Sequence, residues 1–205
     1  MANLAERARR LNRRHRWKRG ANPGIALVTD RTRIADPLDL LDLLPPGALV
    51  LLRDYGAPDR GAFAHSLATA CRAQRLTLLV ADDLDLAVAL GAGLHLPEWR
   101  GRSPGARVRL WHRRSGHMLS VAAHSRRALT RAADIGADLA LLGPVFATAS
   151  HPGARALGRI GFRLLARDAC LPVWALGGVT ARTILGLIES GAAGVASVGG
   201  FAERS

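Results

Sequence analysis

Short apolar runs recur along the chain, and each is followed by polar or helix-forming residues. Eight of these runs are almost continuously apolar instead of alternating between apolar and polar positions. That pattern is typical of parallel strands covered on both faces. The predicted strands are Ile25–Thr29, Leu49–Leu52, Leu76–Val80, Gly93–Leu96, Leu119–Ala122, Leu139–Leu142, Pro172–Leu176 and Gly194–Val198.

Helix start and stop signals lie between the runs. Asp36-Pro37 reads as an N-cap followed by proline in the first turn, and Pro45-Pro46-Gly47 ends the helix that it opens. Residues 98–117, rich in Arg and Gly, give a weaker pattern with at most one irregular helix. The other predicted helices are Asp59–Ala73, Asp82–Leu90, Ser125–Ile135, Ile160–Ala169 and Thr180–Ser190.

Eight strand–helix units in 205 residues predict an α/β fold, a (β/α)8 TIM barrel of minimal size. A doubly wound sheet is the alternative, but such sheets usually have fewer strands. Ser205 follows soon after the eighth predicted strand, so we expect the last helix to be short or missing. A helix near the N-terminus is a candidate to cover that gap.

Residues 1–23 form a basic N-terminal arm, and residues 24–205 form a single barrel domain in this prediction. Leu4, Ala8 and Leu11 keep the spacing of a short amphipathic helix. The first 20 residues carry eight basic groups and one acid, so +7 of the net charge of +13 lies there.

A strongly basic chain suggests nucleic acid, an acidic surface or anionic substrates as partners. Lys18 is the only lysine, however, and the arginine and alanine content indicates a compositional bias. Nucleic acid is therefore the less favoured partner, and the scarcity of stacking aromatics agrees. No apolar stretch reaches the ~18 residues of a membrane span, so we expect a soluble, cytoplasmic protein. Cys71 and Cys170 lack metal-ligand spacing, and we expect both to be reduced and buried.

The active site of a barrel lies at the carboxyl ends of its strands. Glycine pairs, Gly177-Gly178 and Gly199-Gly200, follow the seventh and eighth predicted strands. Glycine lets the backbone approach an anion closely and aim its N–H groups at it, which predicts a phosphate cradle. The alternative is that the glycines only permit tight turns.

Three charged or titratable side chains follow other strands. Arg53 would be costly to bury without an anion, unless it pairs with Asp30 or Asp82. Asp82 could hold a magnesium ion that bridges a pyrophosphate, or else Asp82 or Asp83 caps the next helix. His124 suits general acid–base catalysis, with a packing or capping role as the alternative. Because Lys18 precedes the first strand, a Schiff-base aldolase is excluded.

These segments together resemble the thiamine phosphate synthase family, which also includes the TenI-like thiazole tautomerases. The resemblance spans residues 25 to 200 and is most specific from 137 to 196. The matching segments are Ala26-Leu27-Val28-Thr29-Asp30, Leu52-Arg53, Asp82, Gly91-Ala92-Gly93-Leu94-His95-Leu96, Ala123-His124-Ser125, Gly143-Pro144-Val145-Phe146-Ala147-Thr148 and Pro172-Val173-Trp174-Ala175-Leu176-Gly177-Gly178-Val179.

The resemblance implies a (β/α)8 barrel that acts on a thiazole phosphate. Synthases join it to a pyrimidine pyrophosphate with Mg²⁺. Tautomerases move a proton and need no metal. In this family Arg53 and Ser125 match pyrophosphate-binding positions, and Asp82 matches a magnesium ligand. The residues that match or adjoin the phosphate-binding positions are Thr148, His151, Gly177, Gly178, Gly199 and Gly200.

Several family positions differ in this chain. Tyr55 stands in place of a lysine after the second strand, and His151 replaces another after the sixth. The family's second metal-binding Asp has no match in the segment Pro97–Arg100. Such losses weaken the stabilisation of a leaving pyrophosphate. The residues therefore fit a TenI-like tautomerase, with His124 and Arg53 as catalytic candidates, better than a synthase.

Two alternatives stay open at this point. One is a divergent synthase, a thiamine-phosphate pyrophosphorylase. The other is a non-catalytic, phosphate-binding or regulatory barrel that has lost the synthase residues. The sequence also leaves homo-oligomerisation open.

Overall fold

The computed structural model describes residues 4–11, 23–148 and 153–201. Eight parallel strands form a closed barrel in chain order, and the last strand pairs with the first. The predicted (β/α)8 barrel is therefore confirmed. The strands are β1 (Ile25–Val28), β2 (Leu49–Leu52), β3 (Thr77–Ala81), β4 (Gly93–Leu96), β5 (Leu119–Ala123), β6 (Leu139–Leu142), β7 (Val173–Leu176) and β8 (Gly194–Ser197).

Helices and 3₁₀ helices connect the strands. The helices are α1 (Leu4–Leu11), α2 (Arg60–Ala73), α3 (Leu84–Leu90), α4 (Glu98–Gly101), α5 (Ala106–Ser115), α6 (Arg126–Asp134) and α7 (Gly158–Arg167). The predicted helices after β1 and β7 are instead 3₁₀ helices, Pro37–Leu43 and Thr183–Leu187. The one irregular helix expected over residues 98–117 is wrong, because two short helices, α4 and α5, lie there.

The second 3₁₀ helix is short because its surroundings stop it at both ends. The Thr180 hydroxyl accepts hydrogen bonds from the N–H groups of Arg182 and Thr183, at 3.2 Å each. These bonds form a turn at 180–183, and the 3₁₀ helix begins only at Thr183. Glu189, two residues after the helix, adopts a left-handed backbone with φ of 64°. An α-helix over 180–190 is therefore interrupted at each boundary.

Helix α1 covers the barrel where an eighth helix would lie. Leu4, Ala8 and Leu11 are buried, and α1 packs against β1, β8 and the 3₁₀ helix Thr183–Leu187. The Arg7 guanidinium also donates a hydrogen bond to the Ala181 carbonyl. After Ser197 the described part of the chain contains turns and no helix. The rest of the predicted basic arm, 12–22, lies outside the described residues.

Two apolar layers hold the barrel together. Side chains inside the barrel, including Leu49, Leu139 and the fully buried Trp174, form one cluster, and a larger cluster lies between strands and helices. His95 is buried among the strands, and its Nδ1 lies 2.8 Å from the Ser120 hydroxyl. Burial lowers the pKa of His95 to about 4, so this ring is neutral at pH 7.

The structure also bears on the predictions for the cysteines and for a membrane span. Cys71 and Cys170 are both free, but only Cys71 is buried, so the expected burial of Cys170 is wrong. Burial raises the pKa of Cys71 to about 12, which leaves its thiol protonated. Within the described residues, no helix is both long and apolar enough to cross a membrane.

Candidate active site at the barrel mouth

Strand alternation aims two predicted site residues at the mouth of the barrel. Leu49 and Leu51 of β2 belong to the cluster inside the barrel, so Arg53 follows on the same face. On β5, Ser120 contacts His95 inside the barrel, and His124 has the same parity. Arg53 and His124 therefore approach the mouth from different strands.

Two contacts orient His124. Its Nδ1 donates to the carbonyl of Gly143 at the end of β6. A carbonyl only accepts, so Nδ1 carries the proton and the neutral ring keeps its lone pair on Nε2. The backbone N–H of His124 donates to Oε2 of Glu98 at 3.0 Å. Gly143, directly after β6, thus holds the exposed ring with Nε2 as its basic nitrogen, and Glu98 of α4 fixes the backbone of His124.

Ser125 begins the helix that follows His124. Its hydroxyl accepts the Ala128 N–H at 3.2 Å and so caps α6. The hydroxyl proton remains able to donate to an anion, because capping uses only the oxygen lone pair. Ser125 therefore has a structural role that the sequence resemblance did not imply.

The Gly177-Gly178 turn after β7 packs tightly against the loop after β6. Both residues have positive φ, 92° and 63°. A Cβ on Gly178 would lie 2.5 Å from the Ala147 carbonyl oxygen and 2.7 Å from Phe146 Cβ. Glycine is therefore required here by conformation and by space. Within the described part of the chain, the N–H groups of Gly177, Gly178 and Gly199 have no hydrogen-bond acceptor.

Gly200 is arranged differently from the other three glycines. Its N–H donates to the Ser197 hydroxyl at 3.0 Å, and that hydroxyl donates to the Val179 carbonyl at 2.7 Å. The Gly200 N–H is thus already engaged within the protein. Thr148 lies half-buried at the end of the described loop after β6. His151, also predicted to bind phosphate, lies outside the described residues.

On the opposite side of the mouth, Arg53 forms an ion pair with Asp30 at the end of β1. The Asp30 side chain is only 8% exposed, and its other oxygen accepts the Thr32 hydroxyl proton at 2.5 Å. This pair corresponds to the ion-pair alternative weighed for Arg53. The neighbouring Asp54 accepts hydrogen bonds from Thr29 and from the Arg31 N–H.

Asp82 is also paired with an arginine. It lies just beyond β3 with a left-handed backbone, φ 54°, and its Oδ1 lies 2.8 Å from Nε of Arg100 in α4. Asp83, and not Asp82, caps the next helix, because its carboxylate accepts the Leu86 N–H at 2.9 Å. Asp83 also faces Arg60 at 3.2 Å.

A cavity of about 380 Å³ lies at the other end of the barrel, where the strands begin. Gly47, Thr77, Gly93 and Met118 are among the residues that line it. None of the predicted site residues that the structure describes lines this cavity. This cavity is therefore separate from the described candidate site residues at the mouth.

A family model described as thiamine monophosphate synthase matches residues 25–201. The chain belongs to this family. A putative thiamine-phosphate synthase 2 of Aquifex aeolicus is 30% identical over 187 residues, covering 88% of this chain and 98% of that protein. A putative thiamine-phosphate synthase of Geobacter sulfurreducens is 37% identical over 189 residues, covering 84% and 83%. The family predicted from the sequence is confirmed.

Solved structures agree on the fold. The thiamine phosphate pyrophosphorylase of Pyrococcus furiosus superposes with a TM-score of 0.70 at 23% identity, covering 94% of this chain and 87% of that one. A structure titled Native KDPGal gives a TM-score of 0.63 at 13% identity, with 93% and 88% coverage. At these identities the likeness concerns the fold alone.

The resemblance to synthases implies Mg²⁺, and the residues that the structure describes do not fit such an ion. Among the described residues, no group of three or more His, Cys, Asp or Glu side chains is arranged to hold a metal. Asp82, the predicted ligand, faces a guanidinium instead. Asp82 and the other described residues therefore do not form a site for the family's Mg²⁺.

Two residues that hold candidate site residues at the barrel mouth were not predicted as part of the site from the sequence. Glu98 fixes the backbone of His124, and Arg100 holds Asp82. Both lie in α4, directly after β4. Their position after a barrel strand was the available signal, but their partners belong to other strand–helix units.

Proposed function

We propose that this protein is a cytoplasmic enzyme of thiamine biosynthesis that moves a proton on a thiazole phosphate, as TenI-like tautomerases do. The observation that carries the proposal is the orientation of His124. Its Nδ1–H is committed to the Gly143 carbonyl, and its Nε2 remains basic at the barrel mouth. A positioned acid–base group and a phosphate anchor are what such a reaction requires.

The phosphate anchor in this proposal is the glycine turn after β7, together with Gly199. The N–H groups of Gly177, Gly178 and Gly199 have no acceptor among the described residues, and a phosphate would supply one. The fixed turn spends no further conformational entropy on binding. A ligand held there extends its ring into the mouth, where His124 lies.

Proton transfer then needs only His124. Nε2 takes a proton from a carbon of the thiazole system, the electron pair moves within the ring, and the imidazolium returns the proton at the second position. The reaction neither oxidises nor reduces the substrate. The Gly143 carbonyl accepts the Nδ1–H in both charge states, so the ring keeps its orientation while Nε2 takes up and returns the proton.

A proton-exchange assay tests this function. The purified protein is incubated with thiazole phosphate carboxylate in D₂O and EDTA, and NMR follows both isomerisation and deuterium uptake. We expect catalysed isomerisation that EDTA leaves unchanged. Binding of the compound without isomerisation or exchange would contradict the proposal and support the regulatory-barrel alternative.

Several relatives are named as thiamine-phosphate synthases, which favours synthase activity as a second candidate. We expect it to be weak, since Tyr55 stands where the family has a lysine and Asp82 is paired with Arg100. The test combines thiazole phosphate, pyrimidine pyrophosphate and Mg²⁺ and measures thiamine phosphate. A turnover of ~1–10 per second would make synthesis the principal activity.

A further inference from the structure

The carboxylate of Asp82 already has a cation beside it. Nε of Arg100 lies 2.8 Å from Oδ1, and the Asp82 side chain is 21% exposed. The Arg100 guanidinium also stacks over the Trp99 ring, 4.8 Å from its centroid. The ion pair with Asp82 and the stacking on Trp99 therefore hold the Arg100 guanidinium at the end of β3.

The other carboxylates near this end of the barrel are engaged as well. Asp30 pairs with Arg53, Asp83 caps α3, and Glu98 accepts the His124 N–H. Asp54 accepts two hydrogen bonds from the loop after β1. A metal ion that binds Oδ1 of Asp82 would have to displace Arg100, and its further carboxylate ligands would have to be oxygens that other groups of the fold use.

We propose that Arg100 is a built-in cation that takes the place of a divalent metal ion at Asp82, so that this barrel mouth does not bind Mg²⁺. A tethered guanidinium competes as an intramolecular partner, whereas a free ion has to be captured from solution. Mg²⁺ also gives up its water ligands reluctantly, which favours the tethered competitor. The inference concerns metal binding by the protein alone, and it stands or falls independently of the proposed tautomerase reaction.

Mn²⁺ titration of the full chain, followed by electron paramagnetic resonance, tests the proposal without a substrate. We expect the wild type to show no saturable Mn²⁺ site. Arg100→Asp places a second carboxylate opposite Asp82 and should create one saturable Mn²⁺ site per chain, at least about tenfold tighter than the non-saturable binding of the wild type.

A matched control uses a second arginine–aspartate pair of the same protein. Arg107 pairs with Asp85 on the surface, where their side chains are 69% and 74% exposed. Arg107→Asp therefore also creates two facing carboxylates, but on an open surface, and should gain no saturable site. Circular dichroism establishes that each variant is folded.

Three outcomes would overturn the proposal. One is a saturable Mn²⁺ site in the wild type that Asp82→Asn abolishes. Another is a folded Arg100→Asp variant that binds Mn²⁺ no better than Arg107→Asp. If Arg100→Asp does not fold, Arg100→Ala replaces it, and a variant whose Mn²⁺ binding equals that of the wild type would count against a blocking role for Arg100.

Discussion

On the β1–β4 side of the barrel mouth, carboxylates face guanidinium groups, whereas the described residues of the β5–β8 side offer backbone amides and the side chain of His124. Arg53 and Arg100 are each held by an aspartate. Across the mouth, Gly177, Gly178 and Gly199 present N–H groups that the described protein leaves without acceptors. The first side is satisfied internally, and the second is arranged to receive a ligand.

The two sides differ in whether their polar groups already have partners within the described part of the fold. Side-chain charges can pair with one another once their ligand is no longer bound, because arginine and aspartate reach across neighbouring loops. Backbone amides in a fixed turn cannot rearrange in this way. The N–H groups of the β5–β8 side therefore stay without an acceptor among the described residues for as long as the turn keeps its conformation.

The largest effect is expected from His124→Ala, which removes the only proton-transfer group that we assign to the β5–β8 side. Turnover of thiazole phosphate carboxylate should fall about 10²–10⁴-fold. Phosphate affinity should hardly change, because the glycine amides provide it. His65→Ala is the control, since His65 is an exposed histidine on α2 that also contacts a backbone carbonyl. Equal losses of binding and turnover would make His124 an anchoring residue.

Acid should destabilise the barrel through His95, which lies beneath both sides of the mouth. The unfolded chain takes up a proton near the ordinary histidine pKa, whereas the folded protein takes it up only near its lowered pKa of about 4. Stability is therefore lost as the pH falls between these two values, by at most about 3 kcal/mol. Urea unfolding at pH 7 and pH 4.5 should show a larger acid loss for the wild type than for His95→Gln. Equal acid losses would contradict the assignment.

Gly178→Ala tests whether the glycine turn is as constrained as its geometry indicates. An alanine at this position would be strained at φ 63°, and its Cβ would also clash with the Ala147 carbonyl oxygen. Gly91→Ala is a matched control, because Gly91 has φ 61° and open space around it. We expect the control to cost about 1 kcal/mol of unfolding free energy and Gly178→Ala a further ~1–3 kcal/mol. Phosphate affinity should fall only in Gly178→Ala. Equal stabilities for the two variants would show that the loop after β6 yields easily.

The smallest effect concerns the paired charges. Arg53→Met leaves the buried carboxylate of Asp30 without its cation and should cost about 2 kcal/mol of unfolding free energy. Arg107→Met removes an exposed partner and should cost no more than about 0.5 kcal/mol. Chemical denaturation measures both. If Arg53→Met matched its control in stability and lost turnover instead, Arg53 would act on the ligand and not on the fold.

The sequence predicts the strands well because burial on both faces leaves a continuous apolar run that few other elements share. Even so, β3 lies one residue later than expected, at Thr77–Ala81. The 3₁₀ helix at 183–187 could not be predicted, since capping by Thr180 and packing of α1 and α7 around it decide its length. The packing against α1 and α7 joins segments that are distant in sequence, and a local pattern does not contain it.

The candidate site divides in the same way. Strand parity alone indicates that Arg53 and His124 reach the mouth. Which carboxylate holds Arg53 depends on loop conformation, and the link from Glu98 to His124 joins two separate strand–helix units. Long side chains have many rotamers, so their partners cannot be read from spacing.

Closure of the barrel by β1 and β8, with α1 packed beside them, has a consequence for how the chain is made. Arg7 reaches the carbonyl of Ala181, and Ala26 pairs with Ala196, so α1 and β1 meet segments that are synthesised long after them. Contacts of such long sequence separation form slowly. Until β8 has been synthesised, Leu4 and Leu11 of α1 lack part of the surface that buries them in the folded barrel. Helix α1 is therefore open to chaperones and proteases until β8 has emerged.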